Sequence, residues 1–400
     1  MTKTTAGPDL ISEINRDVAD LEPEGAYKVL AKANELEKEG KDLIHLEIGQ
    51  PDYPTFPNIT LAGIKALAEG KTDYNPSQGI PELRQAIADH VSETRGVGVS
   101  PDEVAVSPGA KPMLFLSTIA LLEQGDEVIY PDPGFPTYRS MIEVAGGKPV
   151  PVPLVEDDGF RLDMDKLERV VSPDTKYILI NSPGNPAGNL MSHNSLERVA
   201  SLARKEDVFI LSDEIYSRMV YDDLDYRSIL NYEGMKERTI LVDGFSKTYS
   251  MTGWRLGFGV MPEELAEKIG YLLTHSVGCT ATFTQYAGIE ALEGPQEGVR
   301  KNMKELKEKR DLVVEGLNDI DGVTCNTPRG AFYAFPKVES FGVAANELAD
   351  YLLERANVAL LPGTAFGPGG EGYLRICYAN SAPRLEEGIE RIDKALSKLS

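Results

Sequence analysis

Between residues 104 and 247 one pattern recurs: a short apolar run, then glycine, proline or polar residues, then a stretch of helical character. The runs fall at 104–106, 127–130, 177–180, 208–211 and 239–242. Runs so short and apolar predict strands covered on both faces, and their alternation with helices predicts a mostly parallel, helix-covered sheet. In such a sheet the strands leave their carboxyl ends on one edge, where open α/β folds gather ligands. The polar residues that follow each strand therefore converge in space although they are far apart in sequence.

The most telling of these junctions is TILVDGFSKTYSMTGWRLGFG at 239–259. Gly244 breaks the strand, so Phe245, Ser246 and Lys247 emerge at its carboxyl end. Desolvation strips a buried lysine of its proton and leaves an amine nucleophile able to form an imine with an aldehyde. Arg255 has the fork geometry of a phosphate clamp. A lysine and an arginine this close also read as a solvated surface pair, and only the convergence of strands sets them apart. Gly109-Ala110-Lys111 stands where the strand at 104–106 gives way to a helix at 112–122, so its amides and the helix dipole suit a phosphate, as they would suit an ordinary turn. Asp213 ends an apolar run: it can keep a ring nitrogen protonated or cap a short turn. Phe135, set among prolines, suits ring stacking or core packing, and Asn185 before Pro186 suits hydrogen bonding or a turn.

Four hundred residues at 42% hydrophobic content allow two or three domains. A formal charge of −22, from 41 basic and 63 acidic residues, argues against a nucleic-acid partner. Neither GxxxxGK[ST] nor GxGxxG occurs, which weakens nucleotide readings. No apolar run approaches membrane-spanning length and the first residues lack a signal-peptide core, so a cytoplasmic protein is expected. Cys279, Cys325 and Cys377 are widely spaced with no CxxC, and are expected to pack rather than pair or bind metal.

Together these residues resemble the fold type I pyridoxal-phosphate enzymes, most closely the class I/II aminotransferases of the aspartate aminotransferase type, from about Ser12 to the last residue. The specific pieces are YNPSQGIPELRQAIA at 74–88, PGAKPML at 108–114, NSPGNPAG at 181–188, DEIY at 213–216, FSKTYSMTGWRLG at 245–257 and LRICYAN at 374–380, all in the family's order. The resemblance implies a large domain at 47–290 with a mostly parallel seven-stranded sheet covered by helices. It also implies a smaller α+β domain from both chain ends, with an arm at 1–46 and the remainder at 291–400. By the same likeness Lys247 binds pyridoxal phosphate covalently and moves a proton between Cα and the cofactor's C4′. Asp213 pairs with the pyridine nitrogen, Tyr216 and Asn185 donate to the ring's 3′ oxygen, and Phe135 takes the stacking position where tryptophan or tyrosine is usual. Gly109, Ala110, Lys111, Ser246 and Arg255 match the phosphate cup, and Tyr74 matches the tyrosine that reaches the neighbouring site of a homodimer. Arg375 matches the arginine that grips the substrate α-carboxylate, helped by Gly49 and Asn185.

The implied reaction moves an amino group from an L-amino acid (aspartate, aromatic or alanine) to a 2-oxo acid such as 2-oxoglutarate, in two ping-pong halves. Two alternatives share these motifs: a C–S lyase acting by β-elimination, and a cofactor-binding regulator without catalysis. Towards the carboxyl end, helices are expected at 302–317 and 345–355 and strands at 322–324 and 331–335. Gly363, Gly367, Gly369 and Gly370 form a loop able to move over substrate or simply to connect. Tyr27, Phe332 and Tyr333 are candidates for the side-chain pocket.

Overall fold

The computed structural model describes residues 23–399 together with residues 14, 18 and 21, so most of the expected arm before residue 23 lies outside the described residues. The chain enters through the helix Gly25–Lys38 and strand β1 (Ile44–His45). It then builds a large sheet from β2 (Val104–Ser107), β3 (Glu127–Asp132), β4 (Lys148–Val155), β5 (Arg161–Leu162), β6 (Thr175–Asn181), β7 (Phe209–Asp213), β8 (Thr239–Gly244) and β9 (Gly257–Val260). Their spatial order is β2-β9-β8-β7-β6-β3-β4-β5. From β4 through β3, β6 and β7 to β8 the pairing is parallel, while β9 runs antiparallel to both neighbours.

Burial follows from composition. All six residues of β8 are buried, which is why its middle, Ile240, Leu241 and Val242, reads as an apolar run rather than an alternation. Leu211, Ile240 and Val242 face Met113, Leu114 and Ile269 in one helical layer, while Ile178, Ile180 and Ile210 face Val199 and Ala203 in the other. At the border, Pro149, Pro151 and Pro153 remove the donors from one side of β4, so no full-length strand can pair there. Beyond them β5 pairs only with Leu154 and Val155. This two-residue return arm extends the expected seven strands to eight; it has no apolar run to betray it.

Towards the carboxyl end come the helix Glu297–Asn318, β10 (Tyr333–Ala334), the helix Ala345–Ala356, β11 (Val358–Ala359), β12 (Leu361–Pro362), β13 (Leu374–Cys377) and the helix Ala382–Leu396. β1 pairs in parallel with β11, and β10 and β12 flank β13 antiparallel. Ile44 and Leu46 share one core with Leu306, Val313, Leu352, Ile376 and Leu385. Residues 322–324 are not the expected strand: a turn at Gly322 leads to a single bridge from Thr324 to Lys337. The strand expected at 331–335 shrinks to β10 because Ala331 takes φ 57°, outside the extended region.

Among the described residues no helix is long and apolar enough to cross a membrane, and no group of histidine, cysteine and acidic residues is placed to hold a metal. All three cysteines are free.

Candidate active site

The carboxyl ends of β2, β6, β7 and β8 border a cavity of ≈ 520 Å³. Asp213 is at its floor. The carboxylate Oδ2 accepts from the Tyr138 hydroxyl at 2.7 Å and Oδ1 from the Ile215 N–H at 3.3 Å. Asn181 braces the same floor, donating to the Asp213 carbonyl at 3.0 Å and accepting the Asn185 N–H at 2.9 Å. Burial pushes the Asp213 carboxyl up to about 6 against the pull of those hydrogen bonds. It is a buried acid with no cation within ion-pair distance among the described residues.

Lys247 lies on the loop after β8, and its Nζ donates to the Gly49 carbonyl at 2.6 Å. Burial brings the amine down to about 8; the Cys377 thiol and Asp213 oppose this, and the Arg375 and Arg255 charges reinforce it. Near neutral pH a useful fraction is therefore unprotonated. Gly49 owes its identity to Tyr333: a Cβ at residue 49 would sit 2.1 Å from the Tyr333 hydroxyl. That hydroxyl shares a hydrogen bond with the Tyr216 hydroxyl at 2.7 Å.

At the far wall two glycines let a helix start and a guanidinium meet. Gly109 takes φ 96°, and a Cβ there would lie 2.2 Å from Arg255 Nη2; a Cβ on Gly257 would lie 2.4 Å from the Ala110 nitrogen. Ala110 opens the helix Ala110–Leu121 with no side-chain cap, leaving its first N–H groups unspent on the protein. Ser246 lines the same cavity. Lys111 lines it too, its ammonium paired with the Glu24 carboxylate and 5.2 Å over the Phe135 ring. Phe135 itself meets Tyr138 edge-on at 5.6 Å.

Arg375, on β13, is only 4% exposed. Its Nη1 donates to Asn185 Oδ1 at 3.2 Å and its Nη2 to the Glu47 carbonyl. The guanidinium lies between the rings of Tyr333, at 4.5 Å, and Phe366, at 4.9 Å. Its Nε is buried with no hydrogen-bond partner. A buried cation on a cavity wall, with no carboxylate partner among the described residues, suits an anionic ligand.

Of the expected residues, Tyr74 alone stands clear of this assembly, 97% exposed. Sequence reasoning assigned no role to Tyr138 or Asn181, which brace Asp213. Their only signal was position: each belongs to a polar segment at the end of a strand.

The family model for aminotransferase class I and II matches residues 41–392. The chain belongs to the class I and II aminotransferases. A probable aspartate/prephenate aminotransferase of Aquifex aeolicus is 42% identical over 388 residues, covering 96% of this chain and 98% of its own. An aspartate aminotransferase of Pyrococcus abyssi is 42% identical, covering 89% and 92% respectively. Among solved structures, an aromatic aminotransferase from Pyrococcus horikoshii OT3 superposes with a TM-score of 0.88 at 39% identity, covering 92% of this chain and all of its own. This aminotransferase is thus a fold type I transferase whose cofactor is pyridoxal phosphate, and it passes an amino group from an amino acid to a 2-oxo acid. None of these relatives is named as a lyase or a regulator.

Proposed function

We propose that the ≈ 520 Å³ cavity holds the cofactor with its aldehyde at Lys247, its pyridine nitrogen opposite Asp213 and its 3′ oxygen near Tyr216 and Asn185. Phe135 faces the ring, and the phosphate lies among Gly109, Ala110, Lys111, Ser246 and Arg255, the last two residues of the Gly109–Lys111 turn contributing main-chain N–H groups. Three features favour this fit: a buried carboxylate lacking a cation, an amine lowered by burial, and a helix start held against a guanidinium. When bound, the protonated ring withdraws electrons from the substrate Cα.

The residues divide the remaining work. Arg375, with Asn185 and the Gly49 segment, clamps the α-carboxylate and so fixes which bond at Cα stands towards Lys247. The Lys247 amine takes the Cα proton and holds it for return, favouring proton removal over loss of the carboxylate. Asp213 stays ionised against a cationic ring, and Tyr138 holds it in place by hydrogen bonding.

The observation that carries this reading is the Arg375 guanidinium, 4% exposed yet on the cavity wall and with no carboxylate partner among the described residues. Arg375→Lys keeps the charge but loses the fork, so steady-state kinetics should show KM for the amino donor rising about 100-fold with kcat less affected. Unchanged KM would remove Arg375 from the substrate grip. Aspartate and aromatic amino acids are the donors proposed here, supported by the names of the relatives.

A homodimer completes the reading. Leu61, Ile64 and Leu67 lie exposed on one face of the helix Pro57–Ala68, an apolar stripe that a second copy would cover. Arg255 also lines an open groove beside Trp254, Val277 and Phe283, which leaves the phosphate pocket accessible to Tyr74 of the partner subunit. Light scattering should report particles of two chains, and Leu61→Asp with Ile64→Asp should halve the mass; a parent monomer with full activity would sink the shared site. The three free cysteines agree with a cytoplasmic setting. A division near residues 46 and 290 is supported by packing: the helix Thr282–Glu293 lies against Pro57–Ala68 and Pro81–Arg95, whereas Glu297–Asn318 lies against Ala382–Leu396.

A further inference from the structure

The glycine-rich loop that precedes Arg375 is tied to the large sheet at two points. Asp132 ends β3, is buried, and accepts the Gly369 N–H on its Oδ1 at 3.1 Å. Two residues further on, the Gly134 N–H donates to the Phe366 carbonyl at 2.8 Å. The loop has little internal slack, because a Cβ on Gly363 would sit 2.0 Å from the Gly370 carbonyl oxygen. Gly367, at φ 120°, leaves the space that Asp132 occupies: a Cβ there would lie 2.1 Å from the carboxylate Oδ1. Phe366, buried between these ties, forms one wall of the slot around the Arg375 guanidinium. The loop joins β12 to β13, whose register sets Leu361 opposite Arg375, so its position and that of the arginine are coupled through the hairpin.

We propose that Asp132 is a positioning residue for substrate binding: it holds the loop at 363–370 so that Phe366 keeps Arg375 aimed at the carboxylate of the amino donor. The same short segment carries Phe135 on the cavity wall, so one carboxylate sets the two binding surfaces in register. This rests on the reading of Arg375 as the carboxylate grip.

The test compares Asp132→Ala, which removes the acceptor, with Asp132→Asn, which retains an oxygen acceptor, and with Gly367→Ala, whose methyl displaces the carboxylate from the loop side. In the alanine variants KM for the amino donor should rise about tenfold while kcat and the cofactor dissociation constant stay within about twofold of the parent; Asp132→Asn should stay near the parent in all three. Hydrogen–deuterium exchange of the 363–372 peptide, in cofactor-loaded protein without substrate, should quicken in both alanine variants and not in Asp132→Asn. Should Asp132→Ala not fold, Asp132→Leu, of similar volume and with no acceptor, carries the same comparison. Parental KM in the alanine variants, or unchanged exchange of the loop whatever the KM, overturns the proposal. Failure of the carboxylate-grip reading shows separately, as an Arg375→Lys enzyme with parental KM.

Discussion

Lys247→Ala should lose at least about 10³-fold in turnover, because covalent capture of the aldehyde and proton transfer at Cα pass through one amine. The structure makes a second, sharper comparison available. Lys247→Arg preserves a positive charge in the same loop, but a guanidinium is never neutral near physiological pH, so it should lose as much as alanine. Rescue by arginine would mean that the charge, not the free amine, is what the site needs. Borohydride reduction of the cofactor-loaded parent followed by peptide mapping should place the label on the peptide containing Lys247 and leave the alanine variant unlabelled. A label elsewhere, or turnover surviving in Lys247→Ala, would end the assignment.

The second large effect is expected at Asp213, where one substitution should act in opposite directions on two states. In the cofactor-free protein, burial raises this carboxyl from 3.8 to about 6, so folding favours its protonated form. The resulting stabilisation is complete below pH ~4 and disappears as pH rises through about 6, a loss of about 2–3 kcal/mol by linkage. Asp213→Asn has no proton to lose, so chemical denaturation of the cofactor-free variant should show this fall between pH 4 and 7 removed. In the loaded enzyme the same change takes away the anion facing the ring nitrogen, and turnover should drop by about 10²–10³-fold. A variant that keeps parental turnover would show that Asp213 serves the fold alone.

How far the sequence could be read depended on whether a property was local. β8 announced itself because all its residues are buried and 240–242 run apolar without a break, and Lys247 followed from the glycine that ends it. β5 did not: two residues paired at a proline-lined border have no periodicity to detect. Asp213 could be suspected from its strand, but not the Tyr138 and Asn181 bracing, since those contacts cross from other segments. Lys111 shows the opposite limit. Its ammonium reaches Glu24, a partner 87 residues away that no local motif reveals. Gly49 became intelligible only once Tyr333 was seen to occupy the space a side chain would need.

The shared core of the chain's two ends also orders events in time. Ile44 and Leu46 are made early, but their neighbours Ile376 and Leu385 emerge more than three hundred residues later. The central parallel strands are complete by residue 244, so that scaffold can condense while the early apolar residues still wait for company. During synthesis those residues form a transiently uncovered surface, closed only when the last helix arrives. Arg375 sits in this final portion, so the nascent chain acquires its grip on substrate last.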